Sequence, residues 1–375
     1  MIAKEVAELR RRYRSDKSNI SHVCGCFVNE KKEIISEFDQ SLGMLNEEDT
    51  DQMLSVLKKT LSGSVGRNLL DVEFSTQQVT DGEECQLLRR LRDSELKDKE
   101  AISALYEKII SSLIIEGNYL ILLAHDRYDV FNYGADGKKE EDSSQVFSYI
   151  LCSICPVKSG KPALSYYLPG NCFRSICADT LLAPPELGFL YPAFDDRMAN
   201  IYKALYYTRN ISNSHAELVE ALFSSPLPMP AAEQKETFGS ILAETMEEDC
   251  SLRVVRSVHS QLCRLIEEHK AEKSDEPLTI TGGEAGDMLR YCGMTEEKIE
   301  SFEEKFKEEF GENTAVPPEN LADGKQLHLK TPDVEIKVSA GNGDQLEART
   351  IDGVKYILIR ADGGDVEVNG IPIRI

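Results

Sequence analysis

Hydrophobic and polar positions in the first third of the chain predict a mixture of helices and strands. Apolar residues at intervals of four and three predict a short helix at residues 2–14, whose end is crowded with arginines. Two extended runs, 22–28 and 33–38, flank the polar residues 29–32 and predict a β-hairpin. Asn46 is positioned to cap the helix that follows it. The predicted helices are at about 47–61, 82–95 and 99–116, and a strand is predicted at 68–74.

The middle of the chain has a different pattern. Residues 119–124 and 146–157 are continuous apolar runs that are too short for ordinary helices, so they predict buried strands. The connection at 132–142 contains Gly and charged residues and predicts an exposed hairpin loop. A third strand is predicted at 187–191. Helices are predicted at about 196–208, with Met198, Ile201 and Leu205 inward and Asp195-Asp196-Arg197 at the capping end, and at about 214–223.

A proline-rich segment separates this region from the second half of the chain. Pro226, Pro228 and Pro230 predict a stiff linker, because proline has a fixed φ and no amide proton. Helices are then predicted at about 231–248, 251–271, 283–292 and 295–310. The last fifty residues alternate apolar and polar positions, and the turn pairs Asn342-Gly343, Asp352-Gly353 and Asn369-Gly370 predict antiparallel hairpins.

These segments together predict an α+β protein with a central mixed or antiparallel sheet flanked by helices. The strands near 119–125, 146–156 and 187–191 form that sheet. Four regions are predicted: an N-terminal helix and hairpin at 1–75, a central α/β core at 76–225, an acidic helical region at 231–312, and a C-terminal β unit at 325–375.

The chain carries a large excess of acidic over basic residues. The chain has 43 Lys and Arg against 65 Asp and Glu, a net charge of −22. Half of that excess lies in residues 231–312, which carry 10 basic and 21 acidic residues. No apolar run approaches the roughly 20 residues of a membrane span, so we expect no membrane partner. The N-terminus lacks the order of a secretory signal, and ten cysteines are too few for a disulfide scaffold, so we expect a cytoplasmic protein.

The cysteines allow two interpretations. Cys152, Cys155, Cys172 and Cys177 resemble a four-thiolate zinc spacing. Cys152 and Cys155 are three apart on a predicted strand, however, so their side chains point to opposite faces, and we favour buried thiols. His22, Cys24 and Cys26 share one strand face as soft ligands but lack a fourth. We therefore predict neither a metal nor a cofactor and leave the occupancy of the four cysteines open.

Catalytic motifs are incomplete. His125-Asp126-Arg127 ends a predicted strand and can supply acid–base groups, but no nucleophile is recognisably paired with it. Gly160-Lys161 lacks the rest of a phosphate-binding loop, and Asp333, Glu335 and Lys337 lie on one short strand and not on the two that a nuclease site needs. An enzyme of unrecognised class remains an alternative, and we predict no catalytic residue.

Basic residues are sparse but clustered. Residues 1–20 carry six Lys and Arg against three acids, and a second cluster lies near residue 90. Such patches can contact phosphate, whereas arginines on an exposed helix can also pair with nearby carboxylates. The candidate nucleic-acid-binding residues are Arg10, Arg11, Arg12, Arg14, Lys17, Arg89, Arg90 and Arg92.

The sequence resembles a bacterial family known only as a domain of unknown function. The resemblance runs along nearly the whole chain and is carried by stretches such as RRRYRSDKSNI, NEKKEIISEFDQSLG, EGNYLILLAHDRYDV, FSYILCSICPVK, ELGFLYPAFDDR and IDGVKYILIRAD. The order of elements is also similar, more distantly, to the bacterial nucleoid-associated protein family. KTPDVEIKV followed by IDGVKYILI is similar in kind to that family's closing strands, but the tail GGDVEVNGIPIRI departs from it. No functional residue is transferred by this likeness.

The distant resemblance implies association with the chromosome, through DNA or protein partners, without catalysis. We therefore expect a non-enzymatic, nucleoid-associated-like protein that binds DNA or chromosome-associated proteins. The alternative is an acidic adaptor whose helical region binds a basic protein and does not touch DNA. A homo-oligomer is compatible with either hypothesis.

Overall fold

The computed structural model divides the chain into two compact units, Met1–Pro230 and Ala231–Ile375. The residues it describes are 1–130, 145–158, 163–176, 181–213, 215–272, 278–311, 314–324, 326–339, 345–361, 366–368 and 371–373. The predicted loop at 132–142, the pairs Asn342-Gly343 and Asn369-Gly370, and Cys177 lie outside these residues.

The first unit is built from one large sheet with helices on both faces. Its strands are β1 His22–Val28, β2 Ile34–Ser41, β3 Leu69–Glu73, β4 Tyr119–Val130, β5 Gln145–Lys158, β6 Ala163–Tyr167, β7 Cys172–Ile176, β8 Leu181–Leu182, β9 Leu187–Tyr191, β10 Ala193–Asp195, β11 Met198–Asn200 and β12 Lys203–Thr208. Its helices are α1 Ala3–Arg10, α2 Glu47–Lys58, α3 Thr76–Asp81, α4 Glu83–Asp93, α5 Lys99–Ser112 and α6 Ala216–Phe223.

The strand order in the sheet is β2-β1-β4-β5-β9-β12-β3, and β8 pairs with the end of β5. Every neighbouring pair is antiparallel. The predicted α+β class, the β1–β2 hairpin and the central strands β4, β5 and β9 are therefore confirmed. Asn46 caps α2 as predicted, accepting a hydrogen bond from the backbone N–H of Asp49.

Both faces of the central strands β4, β5 and β9 are buried over most of their length, which explains the continuous apolar runs. Ile121 and Leu123 of β4 belong to the core beneath α4, α5 and α6. Leu122 and Ala124 belong to a second core on the opposite face, which also contains Val6 and Leu9 of α1 and residues of α2. Because successive side chains alternate between faces, a strand covered on both sides must be apolar at every position. α1 and α4 therefore lie on opposite faces of the sheet.

The predicted helix at 196–208 is wrong. This segment forms the strands β11 and β12. The turn between β10 and β11 contains Asp196 and Arg197, whose φ values are 49° and 59°. Asp195, Asp196 and Arg197 therefore belong to a β-hairpin and do not cap a helix. Of the apolar positions that favoured a helix, Met198 is exposed on β11, and Leu205 belongs to β12, which is buried on both faces. Its β-forming sequence KALYYT pairs with β9 and β3.

The second unit begins with four helices close to their predicted bounds: α7 Ala231–Met246, α8 Leu252–Glu272, α9 Gly282–Tyr291 and α10 Glu296–Phe310, followed by the short α11 Pro318–Leu321. Their apolar faces form one core that includes Phe238, Leu262, Phe302 and Phe306. Acidic residues of α10 lie on its exposed side, as expected for an amphipathic helix.

Small hairpins complete the second unit. They are β13 Gln326–Lys330 with β14 Glu335–Ser339, β15 Leu346–Ile351 with β16 Val354–Ile359, and β17 Val366–Val368 with β18 Ile371–Ile373. The Asp352-Gly353 pair forms the β15–β16 turn with positive φ at both residues, as the sequence predicts.

Candidate functional site

A cavity of about 280 Å³ lies in the first unit where the α4–α5 loop covers β1 and β4. It brings together residues that are far apart in sequence and rich in titratable groups. The lining residues are Asn19, Ser21, His22, Cys24, Asp39, Glu95, Leu96, Lys97, His125 and Arg127. Concave sites with converging polar groups are the usual location of ligand binding.

His125 forms the inner wall of this cavity. Its half-buried ring projects from β4, and Nε2 lies 2.8 Å from the Ser148 hydroxyl oxygen on β5. Burial lowers the pKa of His125, while the charges of Glu95 and Asp126 oppose that effect. The ring is therefore mainly neutral at pH 7, and a neutral imidazole offers one donor and one acceptor nitrogen.

A small charge network forms the outer rim. Glu95 accepts a hydrogen bond from Lys97 Nζ at 2.6 Å, and Arg127 Nη1 lies 3.4 Å from the other Glu95 oxygen. The hydrogen bond from Lys97 lowers the pKa of Glu95, so its carboxylate is charged at neutral pH. The longer contact to Arg127 leaves most of the guanidinium donors available for another acceptor, since this side chain carries five N–H groups.

The rim loop has an unusual backbone. Glu95 and Leu96 are consecutive non-glycine residues in the left-handed region, with φ values of 53° and 60°. The Leu96 side chain is buried in the core, which holds the loop in place. Such conformations cost free energy and cluster at functional sites, so their position on the cavity rim is an independent reason to consider this site.

The opposite wall contains a histidine–carboxylate pair. His22 Nδ1 lies 2.8 Å from Asp39 Oδ1 across the β1–β2 hairpin. Cys24 forms part of the floor, and burial together with the Asp39 charge raises its thiol pKa to about 11. The thiol is therefore protonated at neutral pH and is a poor nucleophile.

The candidate metal ligands do not come together as one site in the described part of the chain. Cys24 and Cys26 enter the core beneath α5, whereas His22 pairs with Asp39. Cys152 and Cys155 lie in the cores on opposite faces of the sheet, as their spacing predicts, and Cys172 is exposed on β7. Within the described ranges, no three His, Cys, Asp or Glu side chains are close enough to share a metal ion.

The N-terminal arginines largely make contacts within the fold. Arg10 donates to the backbone carbonyls of Leu61 and Gly63. The Arg12 guanidinium lies 3.4 Å from the buried Asp126 carboxylate and 4.3 Å from the centre of the Tyr128 ring. Arg14 pairs with Asp16, and the side chains of Arg11 and Lys17 are exposed.

The second arginine cluster is also engaged and lies on α4. Arg89 donates to the Val79 carbonyl, Arg90 pairs with Asp98, and Arg92 pairs with Asp93. Because α1 and α4 cover opposite faces of the sheet, the two clusters do not form one surface. Their binding of nucleic acid stays a prediction.

A scan against known families matches residues 1–371 to the domain of unknown function DUF4317. The chain belongs to this family. The match confirms the resemblance seen along the sequence but does not support the distant likeness to nucleoid-associated proteins. No curated protein matches the chain significantly. In the described part of this DUF4317 protein, no helix is long and apolar enough to cross a membrane.

The sequence patterns indicate only part of the cavity. His22 and Cys24 belong to one motif and His125 and Arg127 to another, but no pattern marks Asp39, Glu95, Lys97 or Ser148. No local signal connects these residues, because they come from β2, the α4–α5 loop and β5 and meet only after the sheet has formed.

Proposed function

We propose that the first unit of this DUF4317 protein binds a small organic anion in the cavity beneath the α4–α5 loop. The observation that carries the proposal is the convergence of His125, Arg127 and Lys97 around one recess whose rim loop is held in a strained conformation. A carboxylate or phosphate group of the ligand binds Arg127 and Lys97 and competes with Glu95 for them. Charge-assisted hydrogen bonds of this kind are stronger than those between neutral groups.

The inner histidine gives the site a second point of recognition. His125 is held by Ser148 through Nε2, so its other ring nitrogen is the one that can meet a polar group of the ligand. The volume suits a small metabolite, because it lies at the lower end of the few-hundred-Å³ range of ligand pockets. Glu95 disfavours a second negative charge near the rim, which favours ligands with a single anionic group.

Calorimetric titration of the full chain with acetate, methyl phosphate and succinate tests this proposal, with thermal unfolding as a second readout. Succinate is expected to bind more weakly than acetate, because it brings a second anionic group near Glu95. A bound anion at a hundredfold excess over Kd stabilises the fold by about 2.7 kcal/mol. Arg127→Gln weakens binding roughly tenfold or more, because it removes a charge-assisted contact.

Arg90→Gln is the matched control. Arg90 and Arg127 have similarly exposed side chains, 55% and 58%, and both pair with a carboxylate, but only Arg127 lines the cavity. Equal loss of binding in both variants, or no binding of any of the three anions by the native chain, contradicts the proposal.

The nucleic-acid and acidic-adaptor hypotheses remain open alongside this one. Arg11 and Lys17 are the exposed N-terminal cations that a phosphate backbone can reach. The acidic surface of the helical region is compatible with a basic protein partner. The nucleic-acid hypothesis has less support than the cavity, because most of the candidate arginines already make contacts within the fold.

A further inference from the structure

A second feature of the first unit is the hairpin formed by β6 and β7, residues 163–176, which the sequence patterns did not predict. Between Asp142 and Asp179 the sequence contains no Asp or Glu but three cations, Lys158, Lys161 and Arg174. The chain as a whole has a net charge of −22, so this segment is more positive than the chain average. Such a region favours an anionic partner by charge complementarity.

The hairpin exposes an unusual amount of apolar and aromatic surface. Tyr166 and Phe173 face each other across the two strands, with ring centres 5.3 Å apart, and Phe173 is 68% exposed. Leu164 and Leu168 extend the same surface and are also exposed. Contiguous exposed apolar side chains on a folded protein commonly mark a binding surface.

A cation is stacked on the opposite face of the hairpin. The Arg174 guanidinium lies 3.9 Å from the centre of the Tyr167 ring. The hairpin therefore presents aromatic rings on both faces and a positive charge among them. This combination is the one that proteins use to bind single-stranded nucleic acid, with bases stacking on the rings and cations near the phosphates.

The hairpin also has little support of its own. Among the described residues, β6 and β7 pair only with each other. Two strands without a third strand or a covering helix are marginally stable in water. A partner that packs against the aromatic rings and the strands together would order the hairpin further.

We propose that the β6–β7 hairpin binds single-stranded nucleic acid through Tyr166, Tyr167, Phe173 and Arg174. The absence of acids favours a polyanion over an ordinary protein surface. The Tyr166 hydroxyl donates to the Asn171 side chain near the tip, so the surface carries hydrogen-bonding groups as well as aromatic rings. This site is separate from the arginine clusters considered above and does not depend on the cavity.

Binding at this site is expected to be sensitive to salt. Each cation that contacts a phosphate of a single strand contributes about −0.7 to the slope of log K against log salt concentration. Arg174 therefore predicts a slope of about −0.7, and the stacking of bases contributes a part that does not vary with salt.

The test is fluorescence anisotropy of the full chain with labelled oligo(dT) and oligo(U), at several salt concentrations and with a reductant present because Cys172 is exposed. Wild-type protein is expected to bind single strands better than a duplex of the same length. The double variant Tyr166→Ala/Phe173→Ala is expected to lose affinity about fivefold or more, and Arg174→Gln is expected to flatten the salt dependence.

The double variant Tyr356→Ala/Ile359→Ala is the matched control. It removes an aromatic and an apolar side chain from another exposed hairpin, where Tyr356 is 45% exposed and Tyr166 is 47% exposed. That hairpin carries Glu347 and Asp352, and its variant is expected to bind like wild type. Circular dichroism of each variant shows that the fold is retained.

Three results would overturn the proposal. The first is that the wild-type chain binds neither oligonucleotide, or binds duplex equally well. The second is that the control variant loses as much affinity as the hairpin variant. The third is that the hairpin residues are needed only for sedimentation with phosphatidylglycerol vesicles or for self-association, which would assign the surface to a lipid or to a second copy of the chain.

Discussion

Asp126 and His125 are neighbours in sequence but have different roles in the structure. Alternation along β4 directs His125 into the cavity and Asp126 into the opposite core, where it is almost completely buried. Asp126 accepts hydrogen bonds from the Tyr149 hydroxyl at 3.0 Å and from the backbone N–H of Asn19 at 3.2 Å, and it faces Arg12. Burial raises the pKa of Asp126 despite these donors. Asp126 therefore ties the N-terminal segment to the sheet.

Asp126→Asn is expected to destabilise the first unit by about 2–4 kcal/mol, because the amide NH₂ would face other donors and leave the half-buried Arg12 unpaired. Denaturant unfolding measures the effect. Asp129→Asn is the control, since Asp129 is exposed on the same strand and should change stability by less than about 0.5 kcal/mol. A small effect of Asp126→Asn would show that this carboxylate is not a structural tie.

His125 makes the stability of the first unit depend on pH. Its pKa in the folded state is below the ordinary value of 6.5, so the unfolded chain binds a proton more readily. Its contribution to stability is complete above pH 6.5 and is lost as the pH falls through 6.5 towards the folded-state pKa. His125→Gln is expected to remove this part of the pH dependence.

NMR titration of the His125 ring checks the pKa directly, and denaturant unfolding at several pH values checks the linkage. The exposed His22, which pairs with Asp39, serves as an internal comparison in the same spectra. A His125 midpoint at or above 6.5 would contradict the burial argument.

At the scale of elements, the packing of β9 depends on the absence of a side chain at Gly188. A Cβ at this position would lie 2.4 Å from the Cys152 carbonyl oxygen and 2.4 Å from Thr60 Cγ2. The close approach lets Thr60 form a buried hydrogen bond of 2.6 Å with Ser153. The turn that follows α2 is thereby fixed against the sheet.

Gly188→Ala is therefore expected to destabilise the first unit by about 1–3 kcal/mol, as overpacking does in other cores. The same substitution at Gly239 should change stability in the opposite direction. Gly239 is exposed in α7 with nothing within 4 Å of its Cβ position, so alanine should stabilise the second unit by up to about 1 kcal/mol. Thermal unfolding of both variants tests these two predictions. An unchanged stability of the Gly188→Ala variant would show that the sheet can shift at this point.

At the scale of the whole molecule, the division at Pro230 leaves each unit with a complete core. The clusters on the two faces of the sheet draw their buried residues from the first unit, and the helical cluster draws its residues from the second. A unit with its own core can fold alone. The −11 charge of residues 231–312 belongs entirely to the second unit.

Fragments 1–230 and 231–375 are accordingly expected to fold when expressed separately. Superposing the amide NMR spectrum of each fragment on the spectrum of the full chain tests whether the fragment is folded. Most peaks from residues away from the boundary should coincide. Collapse of either fragment to an unfolded spectrum would show that the units depend on each other for stability.

The sequence by itself determined the local elements whose signals are local. Asn46 capped α2, the Asp352-Gly353 pair turned a hairpin, and the apolar faces of α7 to α10 formed a helical core, because capping, turn geometry and helical period depend on neighbouring residues. Only the tertiary structure decided that Lys203–Thr208 form a strand. A chain segment buried on both sides has no period that distinguishes a helix from a strand, and pairing with β9 and β3 settles it. The cavity was likewise beyond the sequence, since His125, Glu95 and Asp39 meet only when the sheet and the α4–α5 loop bring distant segments together.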